Sequence, residues 1–489
     1  MTSILTNPSS MVALQTLKTI NSDLAKTQSE ISTGKTVASA KDNAAIWAIS
    51  KTMESDVAGF KAISDSLSLG ESTVSLARQA SETVTDLLQD IKGKVVAAQE
   101  ENVDREKIQT DISALRSQIN SVVGAAQFNG LNMLQGAADV NILSSLDRAS
   151  DGTVSASNIT VNRQDLTTSA GTYGTGTVLN ANAVASAGTI SATGNTATLT
   201  VAAAADVSAD TFNINVAGTS LAVTGLAGDQ DAAATAISAA VNALGLSGVS
   251  ASASGAVVTL SSTRAFEDVA LSATSGGTAI TASAASIGER AENITFSASA
   301  NVNEGDGYRV TVGSESYSYI AGKNESFQDV ANGLKTAIDA GGVTGISTQV
   351  SLNSSGQAVL KVDNSGADVS LAAVGNAGGV ASGGLFGLDN LDVTTNTKAD
   401  AALANIEVLI ANSIDSAAQF GSAQGRIENQ NSFVSKMTDS LKAGIGSLVD
   451  ANMEEASAKL QALQVQQQLG IQALSIANQS PQSILSLFR

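Results

Sequence analysis

The two ends of this 489-residue chain carry long apolar repeats at helical spacing, and the middle does not. Near the start, apolar residues recur at steps of three, four and seven through Ile46, Ile49, Met53, Phe60, Ile63, Leu67, Val74, Ala77, Val84, Leu88, Ile91 and Val95. The same beat returns through Leu403, Ile406, Ile410, Ala417, Phe420, Ile427, Val434, Leu441, Ile445 and Leu448. A stripe with this period covers one side of a helix and is buried against other helices. A chain whose first and last quarters pack together holds its middle as an inserted outgrowth. That organisation suits an assembly subunit better than an enzyme.

The length allows about three or four domains. Aromatic residues are 3%, so small side chains and helix seams carry much of the burial. The net charge is −19, and residues 151–395 hold 20 acidic against 7 basic side chains. Such a surface repels nucleic acid and anionic lipid, so neither nucleic-acid binding nor membrane insertion is expected. The chain has neither cysteine nor histidine. Disulfides, thiolate or imidazole metal sites and histidine base catalysis are therefore excluded. The expectation is no enzyme, no cofactor and no metal. Only Pro8 and Pro481 interrupt an otherwise proline-free sequence. No stretch approaches the 18 or so apolar residues of a membrane span. Residues 1–21 lack the basic and apolar blocks of a cleavable signal, so export would need another route.

Along the chain, Val12, Leu17, Ile20, Leu24 and Ile31 read as one helical stripe, ended by Gly34. Long helices are expected over about 43–100, 105–126, 399–449 and 454–488, and Phe128-Asn129-Gly130 reads as a turn. Between about 140 and 395, short alternating runs read as strands. Here a pattern occurs twice, about 100 residues apart: strand, strand, helix, strand. The first copy is Phe212–Val216, Leu221–Val223, Gln230–Ala243 and Val257–Leu260. The second is Tyr308–Val312, Tyr317–Ile320, Phe327–Ile338 and Ala358–Val362. Gly171–Gly176 reads as a flexible linker, and Gly341-Gly342, Gly378-Gly379 and Gly383-Gly384 as flexible punctuation. After Glu455 the only charged side chains are Lys459 and Arg489. A glutamine-rich helix so poor in charge is expected to be enclosed by neighbouring copies.

Certain short motifs carry a resemblance. They are Ile31–Lys35, Ser39-Ala40-Lys41-Asp42-Asn43-Ala44-Ala45, Gln127-Phe128-Asn129-Gly130, and the closing run Ala477-Asn478-Gln479-Ser480-Pro481 to Arg489. Together, in this order and at both ends, they resemble bacterial flagellin over about residues 1–140 and 396–489. The pattern departs at Ile46-Trp47, where many flagellins have a glycine and a small aliphatic residue.

The resemblance implies a multidomain chain. All-α coiled-coil inner domains form from the paired N- and C-terminal segments, and a β-rich α+β outer region is inserted between them. Residues 1–45 with 452–489 would be the inner terminal domain, and 46–140 with 396–451 a helical shell. Residues 141–395 would be a variable outer region of two related modules, about 180–285 and 286–395. The assembly core is expected at Val12, Leu17, Ile20, Leu24, Ile31, Leu460, Leu463, Leu469, Leu474, Ile484, Leu485 and Leu487. The shell seam is expected at Ile46, Ile49, Met53, Phe60, Ile63, Leu67, Ile406, Ile410, Ile427 and Leu441. Gly34, Lys41, Asp42, Asn43, Gln127, Phe128, Asn129, Gly130, Asn478, Gln479, Pro481 and Arg489 carry the motifs. The implied function is a self-polymerising subunit of the flagellar filament, secreted by type III export. The implied partners are further copies, an export chaperone at the C-terminal segment, and hook-associated junction and cap proteins. The alternative is a hook–filament junction protein or a secreted adhesin with similar ends.

Overall fold

The computed structural model describes residues 7–148, 153–224 and 226–487, the stretch 480–487 by its backbone alone. The helices are α1 (Pro8–Thr33), α2 (Ala44–Ala97), α3 (Arg105–Ala125), α4 (Gln230–Ala243), α5 (Phe327–Gly341), α6 (Asn396–Val449) and α7 (Met453–Leu487). Two short hairpins come first: β1 (Gln127–Phe128) with β2 (Leu131–Asn132), and β3 (Val140–Arg148) with β4 (Val154–Val161). Then follow β5 (Ala183–Ala185), β6 (Thr189–Ile190), β7 (Asn195–Val201), β8 (Phe212–Val216), β9 (Thr219–Val223), β10 (Val249–Ser254), β11 (Val257–Ser262) and β12 (Val269–Ser275). The remaining strands are β13 (Ile280–Ala282), β14 (Ser286–Ile287), β15 (Glu292–Phe296), β16 (Gly307–Val312), β17 (Glu315–Ile320), β18 (Ile346–Leu352), β19 (Ala358–Asn364) and β20 (Val369–Asn376).

The chain divides into two compact units. One comprises Met1–Ser72, Asn141–Val161 and Ala423–Arg489; the other comprises Thr73–Val140 and Asn162–Ser422. In the first unit, α1 pairs with α7, and the first half of α2 packs with the second half of α6 and the β3–β4 hairpin. Gly70 leaves room for Ile142 of β3, because a Cβ there would meet its side chain. Ile63, Leu67, Ile427 and Val434 are buried in this core.

In the second unit, Val74, Ala77, Val84, Leu88, Ile91 and Val95 of α2 are buried with Ile406, Leu409 and Ile410 of α6 and Ile112 and Ile119 of α3. One polar knot interrupts this seam. The Thr85 hydroxyl donates to Ser413 Oγ at 2.9 Å, and Ser413 donates to the Ser81 carbonyl at 3.1 Å. Buried hydroxyls need such partners. The β1–β2 hairpin turns at Asn129 (φ 50°) and Gly130 (φ 81°). A two-residue turn of this kind needs positive φ at both positions, which Asn-Gly tolerates best.

The two α+β modules also belong to the second unit. In the first, the sheets β10-β11-β7-β13 and β9-β8-β12-β14 enclose a core with α4. In the second, β18-β19-β15-β5 and β17-β16-β20-β6 do so with α5. The order β7-β8-β9-α4-β10-β11-β12 corresponds to β15-β16-β17-α5-β18-β19-β20, strand for strand. Both copies thus hold two more strands after the helix than the repeat in the sequence suggests. The remaining places differ. In the first module β13 and β14 fill them; in the second β5 and β6 do, from residues that precede the first module. Ala183–Ala185 pair with Phe296–Ile294, and Thr189-Ile190 with Ser370-Val369. The boundary expected near residue 180 is therefore displaced. Residues 195–287 form the first module, inserted between β6 and β15 of the second. Strands of two and three residues are too short for alternation to reveal, and their pairing is set by distant partners.

The glycine-rich stretches are likewise not loose linkers. Thr172 and Val380 exchange backbone hydrogen bonds at 2.9 Å, Gly176 donates to Ala377 O at 2.9 Å, and Gly379 donates to Gly305 O at 2.8 Å. A Cβ at Gly174 would overlap the Ala377 carbonyl, and one at Gly379 the Thr172 carbonyl. Gly341 lies against the Tyr317 ring, and Gly342 ends α5 at φ 62°. These glycines permit close backbone approach.

Candidate assembly surface

The first unit presents the surface that the terminal repeats imply. Pro8 stands in the first turn of α1, where its missing N–H leaves no bond unmade, and Asn7 accepts from Ser10 N at 3.1 Å. The helix stops at Gly34 (φ 69°). Between the helix pairs the two connectors clasp each other. Thr36 N donates to Val449 O at 2.7 Å, and Ala451 N donates to Gly34 O at 2.9 Å. Asp42 accepts from the Ser39 backbone at 2.9 Å and its hydroxyl at 3.0 Å, which holds its carboxyl below the usual range. Asn43 caps α2 by accepting from Ala45 N at 3.1 Å and Ile46 N at 3.2 Å. Gly34, Asp42 and Asn43 thus shape the turn from α1 into α2, and Lys41 stands exposed beside them.

The α1–α7 pair is antiparallel. Asn7 Nδ2 donates to Ala477 O at 2.8 Å, Ser10 Oγ to Asn478 Oδ1 at 2.8 Å, and Gln467 Nε2 to Asn21 Oδ1 at 2.6 Å. The seam residues of α1 are Ala13, Leu17, Ile20, Leu24, Thr27 and Ile31; on α7 they are Ala456, Leu460, Leu463, Gln467, Gly470 and Leu474. Their steps of four and three are those of a coiled coil. Gly470 sits under Leu17 and Ile20, where a larger residue would press on both.

Two expected core residues lie off this seam. Val12 is 65% exposed and Leu469 is 57% exposed. Val12 is five residues before Leu17, out of step, and Ala13 takes its place. Leu469 likewise gives way to Gly470. Ala13, Thr27, Gln467 and Gly470 escaped a search for large apolar residues, although the alternating spacing points to them. Ile484, Leu485, Leu487 and Pro481 have side chains outside the described residues, and Arg489 lies outside them altogether.

The opposite faces of the pair stay open. Met11, Val12 and Leu14 on α1, and Val465, Leu469, Ile471 and Ile476 on α7, are each more than half exposed. Isolated exposed apolar residues are ordinary, whereas seven on two paired helices form an open apolar surface. Asn478 and Gln479 are exposed at its end.

In the shell seam, Ile63, Leu67, Ile406, Ile410 and Ile427 are buried, and Ile46, Met53, Phe60 and Leu441 are half-buried. Ile49 is 54% exposed; Ser50 faces inward instead and donates to Trp47 O at 2.9 Å. Phe433 on α6 is also exposed. Gln127 and Phe128 form β1, with Asn129 and Gly130 in its turn.

The comparisons with known proteins place both helical ends in one family. The bacterial flagellin N-terminal helical region matches residues 4–139, and the bacterial flagellin C-terminal helical region matches residues 403–488. Flagellin A of Rhizobium meliloti is 31% identical over 489 residues, covering 100% of both chains. The chain belongs to the flagellin family. Flagellin D of Rhizobium meliloti (strain 1021) is 32% identical over 500 aligned residues, again covering 100% of both chains. Membership therefore extends through the middle region and is not confined to the helical ends. Among solved structures, flagellar hook associated protein-3 from Legionella pneumophila is 9% identical, with a TM-score of 0.33 over 81% of this chain and 98% of that one.

Proposed function

We infer that this chain is a structural subunit that polymerises into the bacterial flagellar filament, the extracellular helical propeller of swimming cells. The flagellin family is a structural one, and the full-length likeness to flagellins favours the filament subunit over a junction protein or an adhesin. The observation that carries the mechanism is the open apolar row on the α1–α7 pair, within stretches 8–17 and 460–487 that carry no charged side chain to hold water there. In this reading that row is buried by neighbouring copies. Residues 1–45 and 452–489 line the inner layer, and 46–140 with 396–451 make the lattice contacts of the shell. The inserted region 141–395 then projects outward. No described helix is long and apolar enough to cross a membrane. Export through the flagellar type III route and capture of the C-terminal segment by a chaperone belong to the same reading, as do contacts with junction and cap proteins.

The test replaces Leu469 and Ile471 together by Asp. Both are exposed, so the monomer keeps its thermal transition while polymerisation onto seeds is lost. Filament growth at the parental rate would refute the surface. Removing Leu460–Arg489 likewise abolishes polymerisation and leaves the outer modules folded, as limited proteolysis would show.

A further inference from the structure

The second unit contains a cavity of about 220 Å³ between the second module, α6 and the chain that follows β4. The side chain of Glu325, just before α5, reaches this place. Its Oε1 accepts from the Tyr319 hydroxyl at 2.9 Å. Its Oε2 is buried and has no hydrogen-bond partner among the described residues. Such an atom is costly to leave unmatched, above all on an ionised carboxylate.

The Asp329 carboxylate makes ionisation worse, and three more carboxylates line the same cavity. Asp329 comes from α5, Glu304 from the loop before β16, Asp165 from the stretch after β4, and Asp415 from α6. Two cations line the same walls and neither is bonded to Glu325. Lys323 Nζ lies 2.5 Å from Asp139, and Arg163 donates to the Gln135 carbonyl at 3.1 Å. Tyr319, from β17, is itself buried and keeps its proton, because burial raises it well above the ordinary tyrosine range.

We propose that Glu325 is a proton latch: its neutral carboxyl keeps the second module seated over the cavity, and its ionisation loosens that seat. Burial pushes the carboxyl up to about 7 from an ordinary 4.5, with Asp329 adding to it. The Gly322 N–H and the Tyr319 hydroxyl pull it part of the way back. Closing therefore takes up a proton. The opening equilibrium grows about tenfold per pH unit from the ordinary value up to about 7, then levels off once closed and open forms are both ionised. The same linkage makes the second module most stable at mildly acidic pH.

Hydrogen exchange of the full-length monomer, corrected for the intrinsic pH dependence of exchange, tests this without relying on polymerisation. Peptides covering 319–329 and 412–419 should lose protection about 40-fold between pH 5 and 7 and only about twofold more above it. Glu325→Gln should hold the protection seen at pH 5 across the range. Tyr319→Phe removes a bond that favours the ionised form, so its plateau should move to higher pH; it also serves where the glutamine variant does not fold. A flat profile in the parent chain, an unchanged slope in Glu325→Gln, or a plateau moved downward in Tyr319→Phe would overturn the latch.

Discussion

The two α+β modules share one topology and are held in place by different means. The first has a core of small and aliphatic residues with a single buried aromatic, Phe212. Its two ends meet, since Asn195 Nδ2 donates to Gly288 O at 3.3 Å and to Glu289 O at 2.6 Å. The second packs Phe296, Tyr308 and Phe327 with ring centroids 5.6–6.1 Å apart. Its helix is tied to the shell by buried Lys335, which donates to Asp339 at 2.6 Å and to Asn405 of α6 at 2.9 Å. The same frame therefore serves once as an insert that closes on itself and once as a mount built into the shell. A fold can be copied without copying its attachments, because topology follows from strand patterning whereas attachment depends on a few individual side chains.

The largest effect should come from excision. Joining Gly194 to Gly288 removes the first module and should leave the second module folded and polymerisation intact. Removing 183–190 should unfold the second module alone, because it takes away β5 and β6. Proteolytic mapping by mass spectrometry distinguishes the two, and loss of the second module in the first variant would break the comparison.

Next is the rivet between the modules. Arg290, in the segment joining them, forms two bonds of 2.7 and 2.8 Å to Asp363 of β19, and that bidentate contact holds its guanidinium pKa above the ordinary value. Arg290→Ala strands a buried carboxylate, and stability should fall by about 3–5 kcal/mol. Tyrosine fluorescence during urea unfolding reads this directly. All four tyrosines, Tyr173, Tyr308, Tyr317 and Tyr319, lie in the second module or in the Gly171–Gly176 strap that is hydrogen-bonded to 377–380.

Gly174→Ala forces a Cβ into the Ala377 carbonyl and should cost about 1–3 kcal/mol in the same transition. A transition unchanged from the parent would show that the strap is loose after all. The smallest effects sharpen the contrast. Ser326→Ala opens the capping box of α5, and Asp229→Ala removes the acceptor for Asp231 N and Ala232 N at the start of α4. Each should cost about 1 kcal/mol, and only the first should move the tyrosine signal.

The long helices and the duplicated pattern were legible because both rest on local periodicity. The α2 stripe from Ile63 to Val95 needed only its spacing to be recognised, and Asn129-Gly130 announced its own turn. The provenance of β5 and β6 was not legible, since two or three residues carry no alternation and their partners lie about 100 and 180 residues away. The glycine strap was misread for a similar reason. Glycine permits both looseness and close contact, and only the facing chain decides between them. In the α1–α7 seam, the large residues Leu17, Ile20, Leu24 and Leu463 are legible from their spacing, whereas Ala13 and Gly470 are hidden by their size. Val12 and Leu469 lie one residue from the seam positions Ala13 and Gly470 and so face the open side of their helices. On a helix that step is a rotation of about 100°.

The central claim is that the paired termini carry a surface completed only by further copies of the chain. Seeded growth of the purified full-length chain, followed by negative-stain electron microscopy beside the Leu469→Asp, Ile471→Asp variant, tests it most directly. The account requires long uniform filaments from the parent and seeds that fail to lengthen with the variant. Persistent monomer from the parent under every seeded condition, or filaments from both, would contradict it.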